Sequence, residues 1–374
     1  MDQRPLASLA FPVERARGRR YPELSHPYRN EFQRDRDRIL HSRAFRRLLD
    51  KTQVFSSGLS DHFRNRLTHT LEVTQIVRTV AAMLGLNEDF SEALALVHDI
   101  GHPPFSHSGE AQLNQIMMRH GDHFDHNLHA LRIVEWFEHR YARFPGLNLT
   151  FEVREGIVKH SRDFAPGEIP AVDEYLPGQR PPLEAQLVDL CDEAAYNTSD
   201  MDDAFAAGLL PLEELRSSVP RFGGIHDAIS NMFAGADDQM VMNETVRAMV
   251  DWFVTELIQG TVACVRQAGV QSMDEVRLYP SRLIQFTAEA AETGQQIKAF
   301  LRKHVYRSEQ VVTERQESMM RVERLFGHFM SHAESLPENY ECEAVEYPRH
   351  RVVCDYIAGM TDGYFNRVYR QVFE

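Results

Sequence analysis

The segment His98-Asp99-Ile100-Gly101-His102 sets an imidazole and a carboxylate at neighbouring positions. Neither group settles in a packed core without partners, and together they suit a divalent metal. The apolar run 93–97 before the pair reads as a helix, and Gly101 with Pro103-Pro104 ends it. The pair therefore falls at a helix end, where side chains from separate segments can converge. A mononuclear hydrolase needs further ligands and an open coordination position for water or phosphate. His69, in RLTHTLEV (66–73), is a third candidate. The fourth should be a carboxylate on a later helix, and 187–200 offers Asp189, Asp192 and Asp200, which spacing alone leaves open. A mixed N and O set favours an oxygen-preferring divalent ion over a thiolate zinc site. Two further ligand candidates at sensible distances point to phosphate-ester hydrolysis.

The elements that must position these groups read as helices almost throughout. Residues 31–49 place Ile39, Leu40, Phe45, Leu48 and Leu49 on one side, and 67–84 place Leu67, Leu71, Thr74, Val77, Val80 and Leu84 in steps of three and four. The same period runs through 127–139, 150–160, 183–201, 243–269, 288–305, 313–333 and 347–372. Thr150 is a plausible helix cap. Strand signals are few, Thr52–Phe55 being the best, and alternating βα units are absent. The Pro- and Gly-rich stretch 164–182 reads as an excursion within one domain, because candidate ligands lie on both sides of it. The expectation is an all-α chain forming one unit over 1–374, with a metal-binding core at about 60–205 and further helices at about 206–374.

At 374 residues the chain is long enough for a large core, and its net charge of −14 argues against a wholly nucleic-acid-binding surface. The charge is uneven. Residues 1–51 hold 13 Lys+Arg against 7 Asp+Glu, a net +6, which leaves −20 for the rest. That Arg-rich start faces an anionic ligand, an acidic partner or nucleic acid, or is simply salt-bridged. The four cysteines are scattered without a C-x-x-C, which indicates a reducing compartment. There is no signal-like start and no stretch of about 18 apolar residues, so a cytoplasmic location without membrane contact is expected.

Longer motifs carry a resemblance. FRRLLDKTQV (45–54), RNRLTHTLEV (64–73), LNEDFSEALALVHDIGHPPFSHSGE (86–110), FDHN (124–127), GLNLTFEVREGIVKH (146–160), LEAQLVDLCDEAAYN (183–197) and RVVCDYIAGMTD (351–362) resemble the HD-domain deoxynucleoside triphosphate triphosphohydrolases, the dGTPase-like proteins, over most of the chain. The resemblance implies an HD phosphohydrolase helical core with additional C-terminal helices. It implies His69, His98, Asp99 and Asp192 as metal ligands, Asp192 because it stands four residues before Tyr196. His107 and Glu110 resemble the catalytic pair, and His126 a second active-site histidine. Tyr196 and Asp200 resemble the residues that hold the deoxyribose. Gln53 and Val54 resemble the segment that crowds the 2′ position, and Arg66, Lys159 and His160 resemble phosphate-contacting positions. One divalent ion per site is implied, Mg²⁺ or Mn²⁺ first, with Fe, Co or Ni as others. Three positions depart from the pattern: Ser106 where many members have Gly, Ser199 where His is common, and Glu193 where some have a phosphate-binding Lys.

The implied reaction splits a deoxynucleoside triphosphate into deoxynucleoside and tripolyphosphate. Phosphoryl transfer rests mainly on positioning and charge neutralisation. The departing 5′-alkoxide needs a general acid, and His107 is the candidate because imidazole as a class suits that task. Glu110, three residues on, can face it across one helical turn. Arg43, Arg46 and Arg47 stand at helical spacing before Gln53 and suit phosphate. The resemblance also implies a homo-oligomer and, in some members, activation by a second nucleotide. Two alternatives remain: another HD phosphohydrolase (a deoxynucleoside monophosphatase or cyclic-nucleotide phosphodiesterase), or a regulatory protein binding nucleotide or single-stranded nucleic acid. Asp355, in an apolar helix, is expected to pair with an Arg such as Arg351.

Overall fold

The structure is a computed structural model that describes residues 4–54, 63–337, 340 and 347–374. Among these residues the backbone is helical, and the extended pairings are two isolated bridges, Arg19 with Thr150 and Thr52 with Asn65. The expected all-α class holds. The strand expected at Thr52–Phe55 is not formed: Thr52 makes one bridge, and Phe55 lies outside the described residues.

The longer helices, in chain order, are α1 (Glu31–Leu40), α2 (Arg66–Leu84), α3 (Glu88–Val97), α4 (Ser106–Arg119), α5 (His126–Arg132), α6 (Phe151–Val158) and α7 (Leu183–Ala206). They continue with α8 (Pro220–Met232), α9 (Asp238–Ala268), α10 (Ala288–His304), α11 (Glu309–Ser331), α12 (Arg349–Ala358) and α13 (Asp362–Phe373). Two expected helices are broken. The 31–49 helix stops at Leu40 and restarts at Arg43, because Ser42 accepts from the Phe45 amide as an N-cap; Leu40 and Leu49 then face solvent. The 347–372 helix breaks between α12 and α13, where Thr361 caps the second by accepting from Tyr364 N.

The helices group into two compact units, each drawn from separated stretches. The first takes the described residues of Met1–Asp37, His69–Leu96 and Leu149–Ser308; the second takes those of Arg38–Thr68, Val97–Asn148 and Glu309–Glu374.

In the first unit α7 packs on α9 and α10, and α8 on α9. Leu187, Val188, Cys191, Ala194 and Met201 of α7 are buried, as are Met242, Met249, Phe253 and Leu257 of α9 at spacings of seven, four and four. Asp237 caps α9 through Met240 N, and Gly269 (φ 69) ends it. By length and composition α9 could cross a membrane, with a mean hydropathy of 1.3 over its most apolar window. No such segment was expected, because the sequence holds no stretch of about 18 apolar residues; Asp251 and Glu256 fall within this helix. The Pro/Gly-rich stretch lies within this unit and forms a 3₁₀ turn at Pro170–Tyr175, anchored by buried Tyr175. The Arg-rich start is largely salt-bridged: Arg19 to Glu31 and Asp35, Arg34 to Glu31, and Arg36 to Glu92. Thr150 occupies a cap position without capping. Its hydroxyl donates to Asp35 Oδ2 at 2.6 Å instead, because that buried carboxylate needs donors.

In the second unit α4 packs on α11 and α12. Its core joins Leu113, Ile116 and Met117 with Val322, Phe326, Phe329, Val353, Ile357 and Phe365. Asp355 is buried there and pairs with Arg132 Nη2 at 2.6 Å and His129 Nδ1 at 3.3 Å. The expected partner, Arg351, is instead 2.5 Å from Asp122, since Arg351 lies on the less buried side of α12.

Candidate active site

The His98-Asp99 turn follows the last residue of α3 and is buried throughout, with His98, Asp99 and His102 each at most 5% exposed. Within the second unit Asp99 Oδ2 accepts from Arg66 Nη1 at 2.7 Å, and Asp99 Oδ1 lies 3.0 Å from His102 Nε2 and 3.7 Å from His98 Nε2. Burial alone would raise the Asp99 pKa, but Arg66, His102 and His98 outweigh it and hold the carboxyl well below its usual range. Burial, with Arg66 and His126 nearby, pushes His102 well below an ordinary histidine and keeps the ring neutral.

Gly101 fixes what stands opposite the turn. A Cβ there would lie 1.9 Å from His126 O and 2.5 Å from Ala130 N, so the backbone of α5 can approach only a glycine. Asp125 caps α5 through the amides of Asn127 and Leu128, which sets His126 on its first turn. The entry to α4 is strained: Phe105 (φ 63) and Ser106 (φ 57) are both left-handed. Each such residue costs roughly 1–2 kcal/mol. Position 106 is where glycine would relieve that cost, and Ser106 offers instead an Oγ that accepts from Arg66 Nη2 at 2.8 Å.

Glu110 gathers three imidazoles. His126 Nδ1 is 2.7 Å from Oε1, and the His107 and His102 Nδ1 atoms are each 3.8 Å from Oε2. Burial would raise the Glu110 pKa, yet bonds from His107 and His126 drive it far below the usual range, so it is ionised. His107 is exposed, as a residue offered to substrate would be. Lys51, in the same unit, donates from Nζ to His102 O; burial, Arg47 and Arg66 push it down to about 7. Gln53 is buried and Val54 half-buried.

In the first unit His69, on α2, brings Nε2 to 2.8 Å from Asp192 Oδ1 on α7, across 123 residues of sequence. Asp189 has other partners. It lies 2.6 Å from His160 Nδ1, pairs with Arg282 and accepts from Ser161 N. Of the three carboxylates that spacing left open, Asp192 is the one against His69. Asp200 is buried on α7 and accepts from the Tyr306 hydroxyl, whose ring lies 6.3 Å from that of Tyr196. Burial pushes Asp200 up to about 7 against the Tyr306 bond. Lys159 gives its ammonium protons to Glu155 Oε1 (2.8 Å), Leu176 O and Gln179 O (both 2.9 Å). Glu193 pairs with Lys298 of α10 at 2.9 Å, so a lysine does stand beside this position, from another helix. The sequence reading missed Tyr306, which sits in no motif, and gave no role to His102, although it stands one turn past the ligand pair.

An HD domain model matches residues 66–197, and a phosphohydrolase-associated domain model matches 284–371. These define an HD-domain phosphohydrolase. A deoxyguanosinetriphosphate triphosphohydrolase-like protein from Azoarcus sp. strain BH72 is 45% identical over 375 residues, covering 100% of this chain and 97% of the relative. Proteins of the same description from Geobacter metallireducens (39% identical, 100% and 96% covered) and Bordetella pertussis (42%, 99% and 96%) also align. The chain belongs to this dGTPase-like family of HD-domain hydrolases.

Proposed function

We propose that the chain hydrolyses deoxynucleoside triphosphates to deoxynucleoside and tripolyphosphate, with His69, His98, Asp99 and Asp192 holding one divalent ion. The observation that carries this is the approach of His69 Nε2 to Asp192 Oδ1 at 2.8 Å. Two ligands bonded at about 2.0–2.2 Å to one ion stand about that far apart. The donors fit the group: two imidazoles, two carboxylates, and Arg66 ordering the second oxygen of Asp99. His69 follows Arg66 by three residues on the same continuous helix. A bound divalent ion supplies charge neutralisation at the α-phosphate and activates water.

The chain's own residues do the rest. Water adds to the α-phosphorus as the bond to the 5′-oxygen breaks, and His107 delivers a proton to that oxygen. Glu110, 3.8 Å from His107 Nδ1, holds that ring in register, and His126 orders Glu110 in turn. Asp200, ordered by Tyr306, accepts from the 3′-hydroxyl, while Tyr196 meets the sugar face and Gln53 and Val54 crowd the 2′ carbon. Arg66 reaches phosphate indirectly, through the ligand and the α4 turn it orders. Lys159 and His160 act through their partners Glu155 and Asp189.

We take the native metal to be Mg²⁺ or Mn²⁺, with Fe, Co or Ni as others. The family likeness extends this reading to a cytoplasmic homo-oligomer in dNTP pool control that a second nucleotide can activate. The test is incubation with each dNTP, singly and in mixtures, over several divalent ions, with product identification. Tripolyphosphate is expected. Inorganic phosphate from monophosphates, or a linear dinucleotide from a cyclic one, would overturn the reading, and no turnover in any mixture would leave a binding protein.

A further inference from the structure

We propose that His102, Glu110 and His126 form a second divalent-cation site, distinct from the four-ligand set. Each residue offers one donor atom, and these atoms lie within 4.8 Å of one another, all in the second unit. Glu110 presents one oxygen to each ring: Oε1 lies 2.7 Å from His126 Nδ1 and Oε2 lies 3.8 Å from His102 Nδ1. The two rings stack, with centroids 3.9 Å apart and planes 15° apart, so both turn the same edge to that carboxylate.

The tautomer of His102 is set by its other neighbour. Its Nε2 lies 3.0 Å from Asp99 Oδ1, and an ionised carboxylate only accepts, so Nε2 carries the proton. Nδ1 therefore presents a lone pair. Metal-binding histidines are ordered in this way, by giving the second ring N–H to a carboxylate. Here Nδ1 is buried and has no hydrogen-bond partner among the described residues, on a residue 3% exposed. A lone pair and a carboxylate oxygen facing each other out of water repel, and a cation between them removes the repulsion and satisfies a buried acceptor. Their 3.8 Å separation fits two ligands of one ion, for which bonds of about 2.1 Å set a ceiling of about 4.2 Å. His126 joins by releasing to solvent the Nδ1 proton it now donates to Glu110 Oε1, keeping a proton on Nε2 and turning the freed Nδ1 lone pair to the ion.

Two imidazoles and one carboxylate select Mn²⁺, Fe²⁺, Co²⁺ or Zn²⁺ over Ca²⁺. Three protein ligands leave positions open for water or a phosphate oxygen. His107 lies 3.8 Å from the same carboxylate but is exposed and stays outside the set. The inference goes beyond the hydrolase reading, which needs one ion.

The test strips the full-length chain with chelator, reloads it with Mn²⁺ alone, removes free ion by gel filtration and counts Mn per chain by plasma mass spectrometry. Two ions are expected in the unaltered chain, and one in each of His102→Gln, His126→Gln and His69→Gln. Circular dichroism checks folding, and half-buried His126 carries the test should His102→Gln misfold. One ion or none in the unaltered chain, or a second ion that survives both His102→Gln and His126→Gln, overturns the site. A count lowered by His102→Gln but not by His69→Gln would instead sink the four-ligand reading and leave this one standing.

Discussion

The Tyr306 hydroxyl donates to Asp200 Oδ2, giving a buried carboxylate a protein donor before any sugar arrives. Burial raises Asp200 to about 7 and the Tyr306 bond opposes the rise. Tyr306→Phe should therefore move this titration higher. kcat/KM for dNTPs at pH 7 should fall about tenfold, in line with roughly 1.5–3 kcal/mol for a hydrogen bond to a charged group, and should recover as pH rises. The pH profile of kcat/KM checks this; an unshifted profile removes Tyr306 from the site.

The same shift has a stability consequence whose sign can be worked out. The folded pKa of Asp200 lies above its ordinary value of 3.8, so the folded chain binds the extra proton between about 4 and about 7. This group's contribution to stability therefore declines as pH rises through that window. Thermal melts across pH 4–8 should show a steeper decline for the unaltered chain than for Asp200→Asn, and parallel curves would contradict it.

Asp192→Ala should bind one divalent ion fewer and lose turnover while keeping its helical circular dichroism, since this carboxylate is half-buried and lies against His69. A variant that retains full activity would remove it from the ligand set.

His107→Ala should keep its metal and slow by roughly 10²–10⁴, the range for a lost general acid. The residue is exposed, so stability should barely move. Single-turnover rates on dGTP decide this, and an unchanged rate would reassign the proton donor.

Arg132→Met leaves the buried Asp355 carboxylate with His129 as its remaining ion-pair partner among the described residues. Breaking one side of a buried pair costs about 3–5 kcal/mol. Asp355 is held below its usual pKa because Arg132 and His129 outweigh burial, so the pair's stabilisation is full above pH 4 and fades in acid. Denaturant melts at pH 7 should show the loss, and Arg351→Met should show much less.

The helices and the ligand pair were legible because each is written in adjacent residues: apolar steps of three and four, and a histidine beside an aspartate. Choosing Asp192 over Asp189 was legible only through the family resemblance, in which the ligand stands four residues before the tyrosine. The physical reason, that Asp189 is engaged by His160 and Arg282, joins residues 29 and 93 positions apart and leaves no local mark. Tyr306 was invisible for the same reason, its partner being 106 residues away. The Thr150 cap failed because Asp35, 115 residues upstream, competes for the hydroxyl. Each of the two units takes in three separated stretches, so no shift in composition marks where one ends.

Gly101 leaves no room for a Cβ against His126 O, and His126 opens the helix that faces Glu110. A deep mutational scan would score position 101 as intolerant as His98 or Asp99, although it performs no chemistry. Alanine at 101 would nevertheless give itself away in such a dataset, because abundance would drop along with turnover, whereas a ligand variant would accumulate as inert protein.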